Sequence, residues 1–128
     1  MNLANSLAAA EIVSADKAIA VTVDVLGAAI DVRDYDGVIK LCLIQNNIAG
    51  TTPTLDVNVV ESEATGGTYT SLSGGAFAQK VTTDDASWID VDVAQTKGFL
   101  KFNYNIEGTS SPQYLVSTFI VGVKKYRK

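Results

Sequence analysis

The sequence predicts an all-β protein: an antiparallel β-sandwich of jelly-roll-like order, with about eight strands and a short N-terminal arm. Apolar and polar residues alternate with a period of two along several segments, which is typical of strands that bury one face. Turn-forming residues recur about every 8 to 12 residues, the spacing of a sandwich or a jelly roll. No helix separates one predicted strand from the next, so a parallel α/β sheet is excluded.

The 128 residues divide into an arm, residues 1–17, and one β-sandwich domain, residues 18–128. A chain of this size buries about two thirds of its unfolded surface, so it can fold without disulfides. The lone Cys42 cannot pair within the chain, and its apolar neighbours indicate a small buried side chain.

The arm is rich in alanine and has few large apolar side chains. So small an apolar surface cannot support an independent unit, and we expect a short helical piece over residues 4–11. The arm would pack on this chain's own sandwich or on a neighbouring subunit. The candidate contacts are Leu3, Leu7 and Ile12.

The first strands of the domain are predicted between residues 18 and 45. Residues 28–32 form a short strand and residues 34–37 form a turn. Residues 37–45 are apolar almost throughout, which is typical of a central strand covered on both faces. Residues 46–53 are predicted to form the longest loop. The inward side chains of the first strand are expected to be Ile19, Val21, Val23 and Val25.

Residues 54–93 carry four further predicted strands separated by turns. The strands cover residues 54–63, 69–72, 77–81 and 88–93, and the turns cover residues 64–67 and 73–75. Alternation is clearest in the first and the last of these strands. Their inward side chains are expected to be Leu55, Val57, Val59, Ile89, Val91 and Val93.

The last third of the chain is predicted to form a hairpin of two long strands joined by a polar loop. The second strand, from residue 114 onward, is apolar at nearly every position, so we expect cover on both of its faces. The loop, residues 108–113, contributes Ser110 and Pro112 as candidate partner contacts. The inward side chains of the first strand are expected to be Leu100, Phe102, Tyr104 and Ile106.

Charge is unevenly distributed along the chain. Fourteen acidic and ten basic residues give a formal charge of −4, but four of the ten basic residues lie in the last five positions. Residues 1–123 therefore carry a formal −8, which disfavours nucleic-acid binding because such binding depends on many Lys and Arg contacts. The basic end is either a solvated terminus or a docking segment. Its candidate contacts are Lys124, Lys125 and Arg127.

The N terminus lacks the basic and apolar regions of a secretory signal, and no apolar run reaches the length of a membrane span. We therefore expect a protein that is made in the cytoplasm and has no membrane partner.

The sequence predicts no catalytic, cofactor or metal site, and so no enzyme. It has no histidine to act as a base and no phosphate-binding loop, and no pattern pairs its glutamates across a cleft. Two Gly-Gly pairs lie between predicted strands and indicate hairpin turns. One acidic group could supply oxygens to calcium, but its spacing favours a turn and a solvated strand face. This group is Asp84, Asp85, Asp90 and Asp92.

Two aromatic residues are expected either on the outer face of the sandwich or at the start of a strand. Trp88 precedes the inward residue Ile89, and Phe99 precedes the inward residue Leu100. Exposed aromatic rings on a sandwich indicate either a subunit contact or a carbohydrate platform. We favour the subunit contact because the apolar strand near the C terminus also has a second apolar face that needs a partner surface.

Several strand-and-turn motifs follow one another between residues 20 and 126. They are Thr52-Pro53-Thr54-Leu55-Asp56-Val57, Val60-Glu61-Ser62, Gly67-Thr68-Tyr69-Thr70, Gly75-Ala76-Phe77, Lys97-Gly98-Phe99-Leu100-Lys101, Gly108-Thr109-Ser110-Ser111-Pro112 and Val123-Lys124-Lys125. In this order they resemble small virion structural proteins of tailed bacteriophages, of the capsid decoration, or cement, type.

The resemblance implies a β-sandwich that binds the outer surface of the capsid at junctions between capsomers and stabilises the shell. It implies the major capsid protein as partner, a virion location, and a homo-oligomer, with a trimer favoured over a dimer. It supplies no catalytic residues.

Two other functions remain open from the sequence. The first is a tail, neck or fibre-associated component of a virion. The second, of another class, is a carbohydrate-binding β-sandwich module that uses the ring of Trp88.

Overall fold

The computed structural model describes residues 10–81 and 84–124, and most of these residues lie in β-strands. A 3-10 turn, Val93–Gln95, follows the sixth strand. The strands are β1 (Ala10–Val21), β2 (Val25–Leu26), β3 (Ile30–Asp31), β4 (Tyr35–Ser62), β5 (Thr70–Ala76), β6 (Asp85–Asp92) and β7 (Phe99–Lys124).

The fold is built on a long antiparallel ribbon of β4 and β7. The two strands pair from Tyr35 opposite Lys124 at one end to Ser62 opposite Phe99 at the other. Between residues 47 and 54 the register shifts three times, because the two strands contribute unequal numbers of residues there. The ribbon bends at this place.

Backbone conformations that favour glycine mark the bend. Gly50 has a φ of 110° and Gly108 a φ of 138°. A Cβ atom at Gly50 would lie 2.7 Å from Cα of Pro112, and one at Gly108 would lie 2.9 Å from Cα of Pro53. The two strands approach so closely at the bend that a side chain at either glycine has no room.

The bend divides the structure into two layers. The strand order in the β6 layer is β1, the end of β7, the beginning of β4, and β6. The strand order in the β5 layer is β2 and β3 side by side with the beginning of β7, then the end of β4, then β5. With β2 and β3 counted as one interrupted strand, each layer has four strands. This confirms the predicted antiparallel β-sandwich of about eight strands.

The core lies between the layers and follows a strict alternation along both long strands. Odd-numbered residues of β4 and even-numbered residues of β7 are buried on either side of the bend, so one face of the ribbon folds against itself. Each large apolar side chain buried there contributes about 1.5 to 3 kcal/mol to stability. The fully buried apolar residues of the ribbon include Ile39, Leu41, Leu43, Leu55, Val59, Leu100, Phe102 and Ile120.

A buried polar cluster joins the two layers. The Tyr104 hydroxyl, from the β5 layer, donates a hydrogen bond of 2.6 Å to the carboxylate of Asp16 in β1 and lies 2.8 Å from Oγ1 of Thr118. The backbone N–H of Ala28 donates to the same carboxylate at 3.0 Å. Because a buried carboxylate is costly without partners, these bonds fix how β1 sits on the sandwich.

The predicted C-terminal hairpin is wrong. The segments before and after residues 108–113 do not pair with each other, because each pairs with its own half of β4. The predicted loop at residues 46–53 is wrong for the same reason, since it is the part of β4 at the bend. The two polar segments, residues 46–53 and 108–113, together form the outer corner of the bent ribbon, which we call the corner.

The predicted burial of both faces of residues 37–45 is wrong, and the described residues cover the second face of the last strand only in part. In the first segment Val38 and Ile44 are exposed, and in the last strand Phe119 and Val121 are only half-buried. The first strand of the domain differs as well. Ile19 and Val21 pack inward, whereas Val23 and Val25 are exposed.

The described part of the predicted arm, residues 10–17, is a strand on this chain's own sandwich. Residues 10–17 belong to β1 and pair with the end of β7, with Ile12 opposite Val121 and Asp16 opposite Thr118. The helical piece expected over residues 4–11 is wrong at Ala10 and Glu11, which are in the strand. Residues 1–9 lie outside the described residues.

The remaining strands follow the predictions closely. In β4 and β6 the predicted alternation is confirmed, with Val57 and Val91 buried and Asp90 and Asp92 exposed. Residues 77–81 are not a strand and make one isolated bridge, Leu55 opposite Lys80. The turn expected at residues 73–75 is an irregularity inside β5.

Candidate functional site

The four aspartates considered for calcium each make a different structural contact. Asp84 accepts a hydrogen bond from the backbone N–H of Asn47, and Asp85 pairs with the buried Lys80 at 2.8 Å. Asp90 pairs with Lys40 at 2.9 Å, and Asp92 caps the 3-10 turn. Within residues 10–81 and 84–124, no three His, Cys, Asp or Glu side chains are grouped so as to hold a metal ion.

An open cavity of about 490 Å³ lies beside the beginning of β4. Its lining includes two cationic residues, Arg33 and Lys97, and two anionic residues, Asp36 and Asp92. Arg33 is engaged by Asp31 at 2.8 Å, and this bond lowers the pKa of the Asp31 carboxyl despite some desolvation. The lining therefore presents balanced charge and no arrangement of a nucleophile with a base.

The outer face of the β6 layer carries a contiguous apolar surface, which we call the apolar face. At its centre, Cys42 lies opposite Phe119 on one side and opposite Trp88 on the other. One row along, Val121 lies opposite Ile12 of β1. The apolar face consists of Ile12, Val38, Cys42, Ile44, Trp88, Phe119 and Val121.

Several of these side chains are more exposed than apolar residues of a sheet usually are. Ile12 is 72% exposed, Val38 62%, Trp88 61% and Ile44 44%. A contiguous apolar surface of this kind on a folded domain marks an interaction site.

The outer face of the β5 layer has the opposite character. Its outward positions are occupied by Thr54, Asp56 and Asn58 from β4 and by Lys101, Asn103 and Asn105 from β7. Asn103 and Asn58 hydrogen-bond to each other across the strands at 3.1 Å. One outer face of the sandwich is thus polar and the other apolar, although both are built from the same two strands.

The charged side chains on the apolar face are few: Lys40 pairs with Asp90, and Asp92, opposite Val38, caps the 3-10 turn. The Lys40 ammonium lies 2.9 Å from the Asp90 carboxylate and 5.6 Å from the centroid of the Trp88 ring. Partial burial raises the pKa of the Cys42 thiol, a change that Lys40 opposes and Asp90 reinforces. Cys42 is therefore a neutral thiol at neutral pH, without the low pKa of a nucleophile.

The structure brings together only part of the predicted contact set. Trp88 and Ile12 both lie on the apolar face, at opposite edges of the β6 layer. Phe99 does not, since it is only 7% exposed and the Arg33 guanidinium lies 4.6 Å above its ring. Of the two positions expected for Phe99, the structure has the strand's start, because Phe99 is the first residue of β7.

The other predicted contacts lie elsewhere. Ser110 is exposed and Pro112 half-buried, both at the bend, and Lys124 is exposed at the end of β7, 3.9 Å from Glu11. Leu3, Leu7, Lys125 and Arg127 lie outside the described residues.

The candidate contacts drawn from the sequence omit five members of the apolar face: Val38, Cys42, Ile44, Phe119 and Val121. Their signal is present in the two apolar runs, which carry large apolar residues at outward as well as inward positions. In the part of the chain that the structure describes, the outward positions of these runs form the exposed face.

A search for membrane-spanning helices among the described residues finds none that is long and apolar enough.

No protein-family model matches the chain, and no curated protein sequence does. Among solved structures, the SPBc2 prophage-derived protein YomS superposes with a TM-score of 0.53 at 15% identity, over 88% of this chain and 95% of YomS. A chain of infectious bursal disease virus, Gt strain, superposes with a TM-score of 0.55 at 10% identity. That match covers 91% of this chain but only 34% of the viral one. These likenesses show a shared fold.

Proposed function

We propose that this protein is a non-enzymatic structural component of a tailed-bacteriophage virion, of the cement type. In this role it binds the major capsid protein on the outer surface of the shell, at junctions between capsomers, and stabilises the shell. The observation that carries the proposal is the fold shared with the prophage-derived YomS over nearly the whole length of both chains. The resemblance of the strand-and-turn motifs to phage decoration proteins points in the same direction.

The physical character of the molecule suits such a role. A cement protein needs a rigid body and adhesive surfaces, and it needs no chemistry. The bent ribbon gives the rigid body, and the apolar face gives an adhesive surface. Contacts of modest size stabilise a shell when they are repeated over many equivalent positions.

We assign the shell contact to the corner of the ribbon and to the basic end. The corner presents exposed hydroxyl side chains, and Thr51 and Ser110 hydrogen-bond to each other there at 3.3 Å. Thr52, Ser110 and Ser111 have positive φ, so the corner is held in an uncommon backbone conformation. The basic end, from Lys124 onward, begins at the opposite end of the β6 layer from the corner and offers a second contact, with a charge opposite to that of the acidic body.

Co-sedimentation with capsids tests the proposal. Purified protein is mixed with mature, undecorated capsids and, separately, with unexpanded precursors of the same phage, and the pelleted protein is measured. We expect saturable binding to mature capsids and weak or no binding to precursors. A Ser110→Glu variant at the corner should bind mature capsids at least tenfold more weakly, whereas the exposed turn variant Thr65→Glu should bind normally.

The arm requires a separate truncation. Deleting residues 2–17 would remove residues 10–17, two thirds of the 12-residue β1, together with Asp16, so any loss of binding would report unfolding instead. Deleting residues 2–9 leaves the described part of β1 whole. Equal binding by this variant would remove the arm from the proposed contact, and absence of binding by the intact protein to mature capsids would contradict the cement role.

A tail, neck or fibre-associated position is the alternative within the same class. Copy number distinguishes this position from the cement position, because a cement protein is present in hundreds of copies per virion and a neck protein in few. Quantitative mass spectrometry of purified virions, with the major capsid protein as internal standard, makes the distinction.

A carbohydrate-binding role is the second candidate, and one observation favours it. The Trp88 ring is 61% exposed on a sheet face, as a sugar platform requires. A glycan array with the wild-type protein and Trp88→Ala tests it. Binding that disappears with the ring would support this candidate, and the absence of any glycan signal would remove it.

A further inference from the structure

We propose that the apolar face binds the same face of a second copy of this chain, so that two sandwiches pack back to back through their β6 layers. The surface is distinct from the corner and the basic end assigned to the shell. The inference can therefore hold or fail independently of the virion role.

The distribution of charge favours a second copy. The chain carries a formal charge of −4, and residues 1–123 carry −8. Contact between two copies through most parts of this acidic surface would therefore be repulsive. The apolar face carries little net charge, because Lys40 and Asp90 neutralise each other within one chain at 2.9 Å and the further carboxylate, Asp92, lies at the edge opposite Val38. A partner recognised by charge would require unpaired charged groups at the centre of the contact, and the central row has none.

The composition of the apolar face also fits self-association. Interfaces between identical subunits are more apolar than other protein surfaces, and aromatic side chains near their centre contribute most of the binding energy. Here Phe119 and Trp88 flank the central residue Cys42. The polar outer face of the β5 layer would stay in solvent on both sides of the pair.

The size of the apolar face is adequate for a stable contact. Four strands spaced about 4.8 Å apart, each contributing about eight residues, give a surface of about 19 Å by about 26 Å. This is the whole outer face of the β6 layer, with an area in plan of about 500 Å², so two copies would bury about 1,000 Å² in total, the lower limit for a specific interface. Two sheet faces also stack well at about 10 Å, and a two-fold axis makes the contact self-complementary.

The two-fold axis would pass near the middle of the β6 layer. Cys42 lies on one of the two central strands, in the middle row of the apolar face. The Cys42 residues of two copies therefore approach each other across the interface. Because the chain has no other cysteine, the protein carries one specific probe of this geometry.

Sedimentation velocity over a range of concentrations and cross-linking with a short bismaleimide test the proposal. Cross-linking is done at about pH 8.5, near the ordinary thiol pKa, to raise the thiolate fraction. We expect a concentration-dependent dimer that the bismaleimide traps through Cys42. Ile44→Lys and Trp88→Lys each place an unpaired charge on the face and should weaken the dimer at least tenfold, with loss of the cross-link.

Asn105→Lys, on the outer face of the β5 layer, is the matched control and should dimerise and cross-link as the wild type does. Circular dichroism and thermal unfolding establish that all three variants are folded. A protein that stays monomeric with no Cys42 cross-link overturns the proposal. Dimers that form equally well with Ile44→Lys and Trp88→Lys also overturn it, because the contact must then lie elsewhere.

Discussion

At the scale of single residues, the cluster of Asp16, Tyr104 and Thr118 is the feature with the largest consequence for stability. The cluster is buried between the layers and connects β1, in the β6 layer, to Tyr104 in the β5 layer. No sequence pattern predicts it, because Asp16 and Tyr104 are 88 residues apart, Asp16 in the predicted arm and Tyr104 in an ordinary alternation. Only the folded ribbon brings them together.

Tyr104→Phe tests the cluster by removing one hydroxyl and little volume. The Asp16 carboxylate then loses its shortest hydrogen bond while it stays buried. We expect the free energy of unfolding to fall by about 1 to 3 kcal/mol, measured by urea denaturation. Tyr69→Phe is the matched control, since the Tyr69 hydroxyl bonds the carbonyl of Thr65 on the surface and its loss should cost less than about 0.5 kcal/mol. Equal effects of the two substitutions would contradict the importance of the cluster.

Alkaline pH provides a second test at the residue scale. Burial, reinforced by the hydrogen bond to Asp16, raises the pKa of Tyr104 far above its ordinary value of 10.0. The folded protein then holds this proton more tightly than the unfolded chain does, so the stabilisation is complete below pH 10 and declines as the pH rises above it. Urea denaturation between about pH 9 and pH 11 should show this decline, and it should be shallower in Tyr104→Phe. A decline of the same slope in both proteins would show that Tyr104 is not its source.

At the scale of elements, the bend in the β4–β7 ribbon determines the architecture. The alternation of buried residues was predictable on both sides of it, as Leu55, Val57 and Leu100 show. The pairing was not predictable, because a polar segment between two strands has the same composition in a hairpin as at the corner of a bent ribbon. Residues 108–113 were therefore assigned to a hairpin loop, whereas long-range pairing with β4 places them at the corner.

Gly50→Ala tests the bend. The φ of 110° is outside the range that alanine prefers, and the new Cβ would lie 2.7 Å from Cα of Pro112. We expect a loss of about 1 to 3 kcal/mol in the free energy of unfolding. Gly66→Ala, in an open turn with no atoms within 4 Å of the new Cβ, is the control and should change stability by less than about 0.5 kcal/mol. A neutral Gly50→Ala would mean that the two strands are farther apart at the corner.

At the scale of the whole molecule, the contrast between the two outer faces indicates a subunit of an assembly. The sequence indicated this indirectly, since the runs around Cys42 and Phe119 contain more apolar residues than one core face can use. Which residues would remain exposed depended on the order of strands within each layer. Trp88 and Ile12 were identified as contacts, but only the register placed them on one surface with Ile44.

Ionic strength tests the assembly of two copies at this scale. Each chain carries a formal −4, so the two subunits repel each other while the apolar face attracts. Salt screens the repulsion, since the Debye length falls from about 30 Å at 0.01 M to about 8 Å at 0.15 M. We expect the dimer dissociation constant from sedimentation to decrease about threefold or more over this range. An increase with salt would instead indicate a contact held by ion pairs.

The central claim is that the protein serves as a structural subunit on the outside of a phage shell. The most direct test is an electron cryomicroscopy reconstruction of the virion that contains this protein, combined with its copy number relative to the major capsid protein. The cement role predicts density for the sandwich at junctions between capsomers over the whole outer surface, in hundreds of copies. Density confined to the tail or neck, or a particle without this protein, would contradict that role.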